Sequence, residues 1–401
     1  MDELDCLTSD LLHPSDYGHG RMAANLAHAL RPLLPKSAQP PLHPMFLRSL
    51  VLAGCLLAAL TAETFATLVA PDHAALLYSG RRVVEPDHAR FAYSGARVRI
   101  AFRGESLGVR LAAERTGVHI NLHLAGHRVQ KIALTPAPAF YPLVANLDPS
   151  EVHTVELVQA TEGFIGATIF HGFVLPEGAT VVPWPAPESR RILFIGDSIT
   201  CGYGIEASGP DQPFRAEEEN FCLGYAALAA RALHADYEVV ARSGIGLYRN
   251  YGGPVEGSAD NLPALFDRVF FRHATPVWDH SAFSPDVICL NLGTNDYSGK
   301  NHDENAFEAA GVAFVSRLLT LHPRARILML SGPMQNGEAL RLRLAAIRAA
   351  TDPARVGLFA LSPQGSRGFG AHYHPSALQA EHNATELVAH LATWMDWPLD
   401  H

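Results

Sequence analysis

Between residues 76 and 184 the apolar positions recur with a period of two. In 96–102, ARVRIAF, the larger apolar side chains alternate with smaller or charged ones. Val118, Ile120, Leu122 and Leu124 alternate with His119, Asn121 and His123. Alternation of this kind predicts strands with one buried face. Residues 129–134, 152–158 and 167–175 continue the series, separated by turns of Gly, Pro, Asp and Ser. Regular short strands without helices predict an all-β sandwich of jelly-roll type over 76–184. Pro183, Pro185 and Pro187 mark its end.

The pattern changes at Arg190. Residues 191–195, RILFI, form a largely apolar run, as expected of a strand covered on both faces. Further buried strands are predicted at 237–241, 286–292, 326–330 and 356–361. Helical spacing is predicted at 225–233, 305–321, 338–349 and 377–395. Alternating strands and helices over 188–401 predict an α/β domain of three layers with a mostly parallel sheet. Loops at the carboxyl ends of its strands are then the place to look for chemistry.

The chain before residue 76 is of another kind. Residues 45–66 run from Met45 through Arg48 and an apolar stretch to Thr64-Phe65-Ala66, the layout of a secretory signal peptide. The stretch falls short of the ~20 apolar residues that span a bilayer, and a buried core helix is the alternative. Cleavage near Ala66 would give a secreted or periplasmic protein with no stable membrane insertion. Leu52-Ala53-Gly54 before Cys55 resembles a lipoprotein box, but apolar residues follow Cys55, so a lipid anchor there ranks second. Residues 13–30 align without gaps to 374–391, with His, Pro, Ser, Ala, Leu and Leu recurring. Residues 1–44 are therefore read as a spurious or vestigial tail of a related protein, with a chance match of two amphipathic helices as the alternative. Under that reading His13 leaves with the leader.

With 401 residues, 48% hydrophobic and 18% charged, the chain is globular and long enough for two domains. A net charge of −9 without a basic cluster argues against a nucleic-acid partner. The 21 His residues are scattered and none falls in a metal-ligand spacing, so no metal or cofactor is called for. After the leader only Cys201, Cys222 and Cys289 remain, an odd number that leaves a Cys201–Cys222 disulfide open.

Four motifs follow predicted strands or open the last helix. Gly196-Asp197-Ser198-Ile199-Thr200 places a hydroxyl at a strand end, where it needs a neighbouring base to become a nucleophile. It is not the GxSxG elbow. Ser243-Gly244-Ile245-Gly246 offers a backbone N–H that a ligand can approach closely. Asn291-Leu292-Gly293-Thr294-Asn295-Asp296 offers an Asn amide as donor to a developing oxyanion, a role worth ~2.7–4 kcal/mol in a well-studied protease. His372-Tyr373-His374-Pro375-Ser376 supplies a base suited to neutral pH, with Pro375 expected in the first turn of a helix. Each motif alone is as readily a turn or a surface group; their order and placement together are what point to a site.

In that order the chain resembles the SGNH hydrolases, whose Ser, Gly, Asn and His blocks correspond to Ser198, Gly244, Asn295 and His374. The stretches GDSITCGYG, SGIGLYRNYGG and NLGTNDYS sharpen the resemblance to carbohydrate esterase family two, the acetylxylan esterase-like group, over residues 76–397. The resemblance implies a jelly roll before the hydrolase domain and a serine esterase acting on acetylated carbohydrate. It makes Ser198 the nucleophile and His374 the base. The Ser198 and Gly244 N–H groups and the Asn295 amide would form the oxyanion hole, with Asp197 and Asp296 in support and no metal. Many relatives carry an Asp two or three residues before the His; here those positions are His372 and Ala371. A backbone carbonyl could replace the acid in a Ser–His dyad, a remote acid is the alternative, and His372 is a second candidate base. Tyr248, Tyr251, Trp278 and Tyr373 are candidates for a sugar subsite. Two other functions fit the same fold: an inert carbohydrate-binding protein, and a lipase or thioesterase. The oligomeric state is not legible in the sequence.

Overall fold

The computed structural model describes residues 67–185, 188–299 and 302–399. The signal-like segment 45–66 and the stretch 13–30 lie outside the described residues. Twelve strands come first among them: β1 (Thr67–Val69), β2 (Leu77–Ser79), β3 (Arg82–Val84), β4 (Ala89–Phe91), β5 (Arg97–Arg103), β6 (Leu107–Ala113), β7 (His119–Leu124), β8 (His127–Ala133), β9 (Ala139–Val144), β10 (His153–Gln159), β11 (Thr168–Leu175) and β12 (Thr180–Val182). They form two antiparallel sheets. One runs β3-β4-β11-β6-β9 with β1 also on β11; the other runs β12-β5-β10-β7-β8 with β2 also on β5. Phe91, Val109, Leu111, Phe170 and Phe173 of the first sheet share one core with Val98, Ile100, Phe102, Ile120 and Leu157 of the second.

The alternation finds β5, β7, β8, β10 and β11 and misses β6 and β9. In β6 the small residues Gly108, Ala112 and Ala113 blur the period, and all of the strand but Arg110 is buried. Strand β9 carries Pro142, which a sheet tolerates at its margin, and β9 ends its sheet.

The expectation of one buried face per strand fails for the second sheet. Arg97, Arg99, Asn121 and His123 on its outer side are also buried, because the α/β domain sits on that side. Arg97 pairs with Asp236 and lies over the Tyr237 ring, 3.8 Å from its centre. The Arg231 guanidinium donates to His123 Nδ1 at 2.8 Å, which burial and that cation hold neutral. The side chains of Asn121 and Asn220 bond at 2.9 Å.

The second domain follows from β13 (Arg190–Gly196) through the short helix α1 (Ser198–Cys201), α2 (Tyr225–Ala232), β14 (Ala235–Ala241) and the turn of helix α3 (Leu262–Leu265). An antiparallel hairpin, β15 (Arg268–Phe270) and β16 (His273–Val277), is then inserted, and the alternation did not reveal it. The chain continues with β17 (Val287–Asn291), α4 (Glu304–Leu321), β18 (Arg326–Ser331), α5 (Glu338–Ala350), β19 (Val356–Ala360) and α6 (Ala377–Trp394). The sheet is parallel in the order β14-β13-β17-β18-β19. Its apolar runs serve both faces: Ile192 and Phe194 pack with α2 and α6, and Leu193 and Ile195 with α4 and α5. The three expected layers are present. The central strands also end level, since Gly196 stands beside both Ala241 and Asn291. The loops that follow β13, β14 and β17 therefore emerge side by side.

Candidate active site

Strand β13 runs straight into α1. Asp197 caps that helix, its Oδ1 accepting the Ile199 N–H at 3.0 Å, so that Ser198 occupies the first helical position. Gly196 cannot be replaced there, because an added Cβ would lie 2.1 Å from Thr200 Oγ1. Ser198 is 5% exposed. Its Oγ lies 2.8 Å from His374 Nε2, and His374 Nδ1 lies 3.0 Å from the carbonyl oxygen of Ala371. An Nδ1–H donor to that carbonyl leaves Nε2 with the lone pair facing the serine.

The turn before His374 is unusual. His372 and Tyr373 both take left-handed backbone angles, with φ of 48° and 59°. This doubles the chain back and brings the Ala371 carbonyl to the ring of His374. Pro375 is not in the helix as expected: Ser376 caps α6, and Pro375 precedes the cap. His372 is exposed and its Nδ1 bonds the Tyr203 hydroxyl at 3.0 Å, so His374 is the imidazole that meets Ser198. The Tyr203 ring packs against His374 at 4.3 Å between centres and stacks on Phe214 at 4.2 Å. Burial pushes the His374 imidazole down to about 4, so it is neutral at ordinary pH.

The other two blocks meet the first. Gly244 adopts φ +76°, open to glycine at little cost, and among the described residues neither its N–H nor that of Ser198 has a hydrogen-bond partner. Asn295 Nδ2 donates to the Ile245 carbonyl at 2.8 Å and reaches Asp197 Oδ2 at a longer 3.3 Å. Burial raises the Asp197 carboxyl to about 7. Asp296 organises the neighbouring loop: its carboxylate accepts the N–H groups of Leu247, Tyr248 and Arg249 at 2.8–2.9 Å. Gly246 allows that turn, as a Cβ there would lie 1.9 Å from the Arg249 carbonyl.

Of the aromatic candidates, Tyr251 and Tyr373 are exposed, at 74% and 54%. Tyr248 and Trp278 are wall: the Tyr248 hydroxyl accepts the Asp303 N–H, and Trp278 lies against Arg81. Tyr203 as a packing partner of the base is not signalled by the sequence, although it stands in GDSITCGYG. Nor does the sequence single out Glu162, which enters from the sandwich. Cys201, Cys222 and Cys289 are all free and buried, so the Cys201–Cys222 bond is not formed.

Residues 78–185 match the carbohydrate esterase 2 N-terminal family, and residues 194–381 match the GDSL-like lipase/acylhydrolase family. An acetylxylan esterase / glucomannan deacetylase of Cellvibrio japonicus is 32% identical over 250 residues, which span 61% of this chain and 68% of that protein. The chain belongs to carbohydrate esterase family two. The cellulase/esterase CelE of Acetivibrio thermocellus is 34% identical over 283 residues, or 68% of this chain. That match spans 34% of CelE. The solved structure of a family two carbohydrate esterase from Clostridium thermocellum, in complex with cellohexaose, superposes with a TM-score of 0.75 at 29% identity, covering 80% of this chain and all of that one. The two chains thus share both the β domain and the α/β domain.

Proposed function

We propose that the chain is a serine esterase that removes O-acetyl groups from carbohydrates through an acyl-enzyme on Ser198. The observation that carries the reading is the 2.8 Å contact of Ser198 Oγ with an imidazole whose other nitrogen is held by the Ala371 carbonyl. His374 Nε2 takes the hydroxyl proton as Oγ attacks the acetyl carbonyl. The Ser198 and Gly244 N–H groups and the Asn295 amide donate to the oxyanion, and Asn295 gives up its longer bond to Asp197 to do so. His374 then returns the proton to the departing sugar oxygen. Water, deprotonated by the same nitrogen, attacks the acetyl-Ser198 carbonyl and frees acetate. The triad acid is replaced by a carbonyl, which fixes the tautomer as an Asp would and adds no charge.

Acetylated carbohydrate is favoured as substrate by the names of the relatives and by the exposed rings of Tyr251 and Tyr373 near the site, whose faces suit the apolar face of a sugar. We read the two-sheet domain as a jelly roll, and the signal-like residues 45–66 as sending the protein out of the cytoplasm. Among the described residues no helix is long and apolar enough to cross a membrane. The test is acetate release from acetylated xylan by wild type and Ser198→Ala, beside nitrophenyl acetate and octanoate. Release that vanishes in the variant, with acetate preferred, supports the esterase. A preference for octanoate supports a lipase, and no turnover by folded protein supports an inert binder.

A further inference from the structure

The sandwich domain sends one carboxylate into the hydrolase site. Glu162 lies in the loop after β10, is 4% exposed, and its Oε2 accepts the Ser243 N–H at 2.6 Å. The same oxygen lies 3.8 Å from Cys201 Sγ at the end of α1, the helix that opens with Ser198. Behind it the Glu162 N–H donates to Glu219 Oε2 at 2.9 Å, and Glu219 is itself wholly buried. The loop cannot easily shift. Ala160 accepts the Phe221 N–H at 3.0 Å, Thr161 Oγ1 accepts the His119 N–H at 3.2 Å, and the Arg242 guanidinium lies over the Phe164 ring.

Two adjoining carboxyls out of water are an expensive arrangement, and burial pushes both upward. A site of that cost beside the residue before Gly244 asks for a purpose. Resting on the esterase reading, we propose that Glu162 is a positioning residue for the reaction: by holding the Ser243 N–H it fixes the backbone entering Gly244 and so aims the Gly244 N–H at the oxyanion. The hydrolase domain thus borrows part of its oxyanion hole from the β domain.

The contact needs an acceptor oxygen at that distance, not a charge. In Glu162→Gln the amide oxygen can accept the same N–H at the same reach. Glu162→Ala removes the acceptor, and Glu162→Asp withdraws it by one methylene. The three variants and Ser198→Ala of the full chain are to be compared on nitrophenyl acetate, with active sites counted by titration and Tm recorded. Glu162→Ala is expected to lose about 10- to 100-fold in kcat with KM within about 2-fold, the mark of an interaction used in the transition state. Glu162→Asp should lose kcat and Glu162→Gln should retain it. Should Glu162→Ala not fold, the Asp and Gln pair decides. A purely structural Glu162 would instead lower Tm and leave kcat per titrated site unchanged in all variants, which overturns the proposal. So does a Gln variant as impaired as the Asp. Wild type with no Ser198-dependent turnover would bring down the esterase reading itself, whereas active wild type with unimpaired Glu162 variants brings down this inference alone.

Discussion

At the scale of single residues the site turns on His374. Its imidazole is buried beside Ser198 and lies at about 4 rather than at the ordinary imidazole value of about 6.5. Catalysis needs the neutral ring, so activity is lost as pH falls through the lowered value, and a mildly acid medium leaves it intact. We expect kcat/KM on nitrophenyl acetate to be level down to about pH 5 and to halve near pH 4, the free-enzyme value that this ratio reports. An acid limb centred at 6.5 or higher would show that the ring is not held as described. The Ser, Asn and His blocks were legible because each carries a distinctive side chain, and the Gly block because it lacks one. The partner of His374 Nδ1 was not, since a backbone carbonyl has no residue identity. It belongs to Ala371, one of the two positions where relatives supply an Asp. Only the left-handed turn at His372 and Tyr373 reveals that its oxygen faces the ring.

At the scale of elements, the parallel sheet does the gathering and one loop does the shaping. Strands β13, β14 and β17 were readable as apolar runs, and their adjacency follows from the sheet order that only the fold supplies. The loop after β14 makes turns of its own, with the Tyr251 N–H on the Gly244 carbonyl at 2.9 Å and the Ser258 N–H on the Tyr248 carbonyl at 2.8 Å, and Asp296 takes up three further backbone N–H groups. Asp296→Ala would leave those donors buried without an acceptor, at about 1–3 kcal/mol for each one that finds no water. Gly244 and the Ile245 carbonyl that holds Asn295 lie in the same loop. The variant should therefore lose Tm and, in the folded fraction, lose kcat more than KM is raised. Thermal melts with initial rates per titrated site test this, and an unchanged kcat would mean that the loop keeps its shape without Asp296. The hairpin β15–β16 escaped the reading because Pro276 and the exposed positions of β16 give no alternation to detect.

At the scale of the molecule the two domains are joined by charge as well as by apolar packing. Polar residues alternating along 97–99 and 119–123 read as a solvated face, and the structure shows them covered. Periodicity reports which side chains share a face, and it is silent on what covers a polar one. The deepest of these contacts is Arg81, wholly buried from the sandwich, with Nε 3.0 Å from Glu238 Oε1 on β14. Its guanidinium also donates to the Phe266 and Arg268 carbonyls and lies over the Phe266 ring at 4.9 Å. Arg81→Ala leaves the buried Glu238 carboxyl and the Phe266 carbonyl without their donor, while the Arg268 carbonyl keeps the Tyr93 hydroxyl at 2.9 Å, a loss of about 3–5 kcal/mol by comparison with other broken buried pairs. Replacing both partners, Arg81→Met with Glu238→Gln, removes the stranded charge and should recover part of that loss. Urea unfolding of the single and double variants measures it. If Arg81→Ala costs less than about 1 kcal/mol, the range of an exposed ion pair, the two domains are held together by their apolar contacts, and this ion pair adds little to the junction.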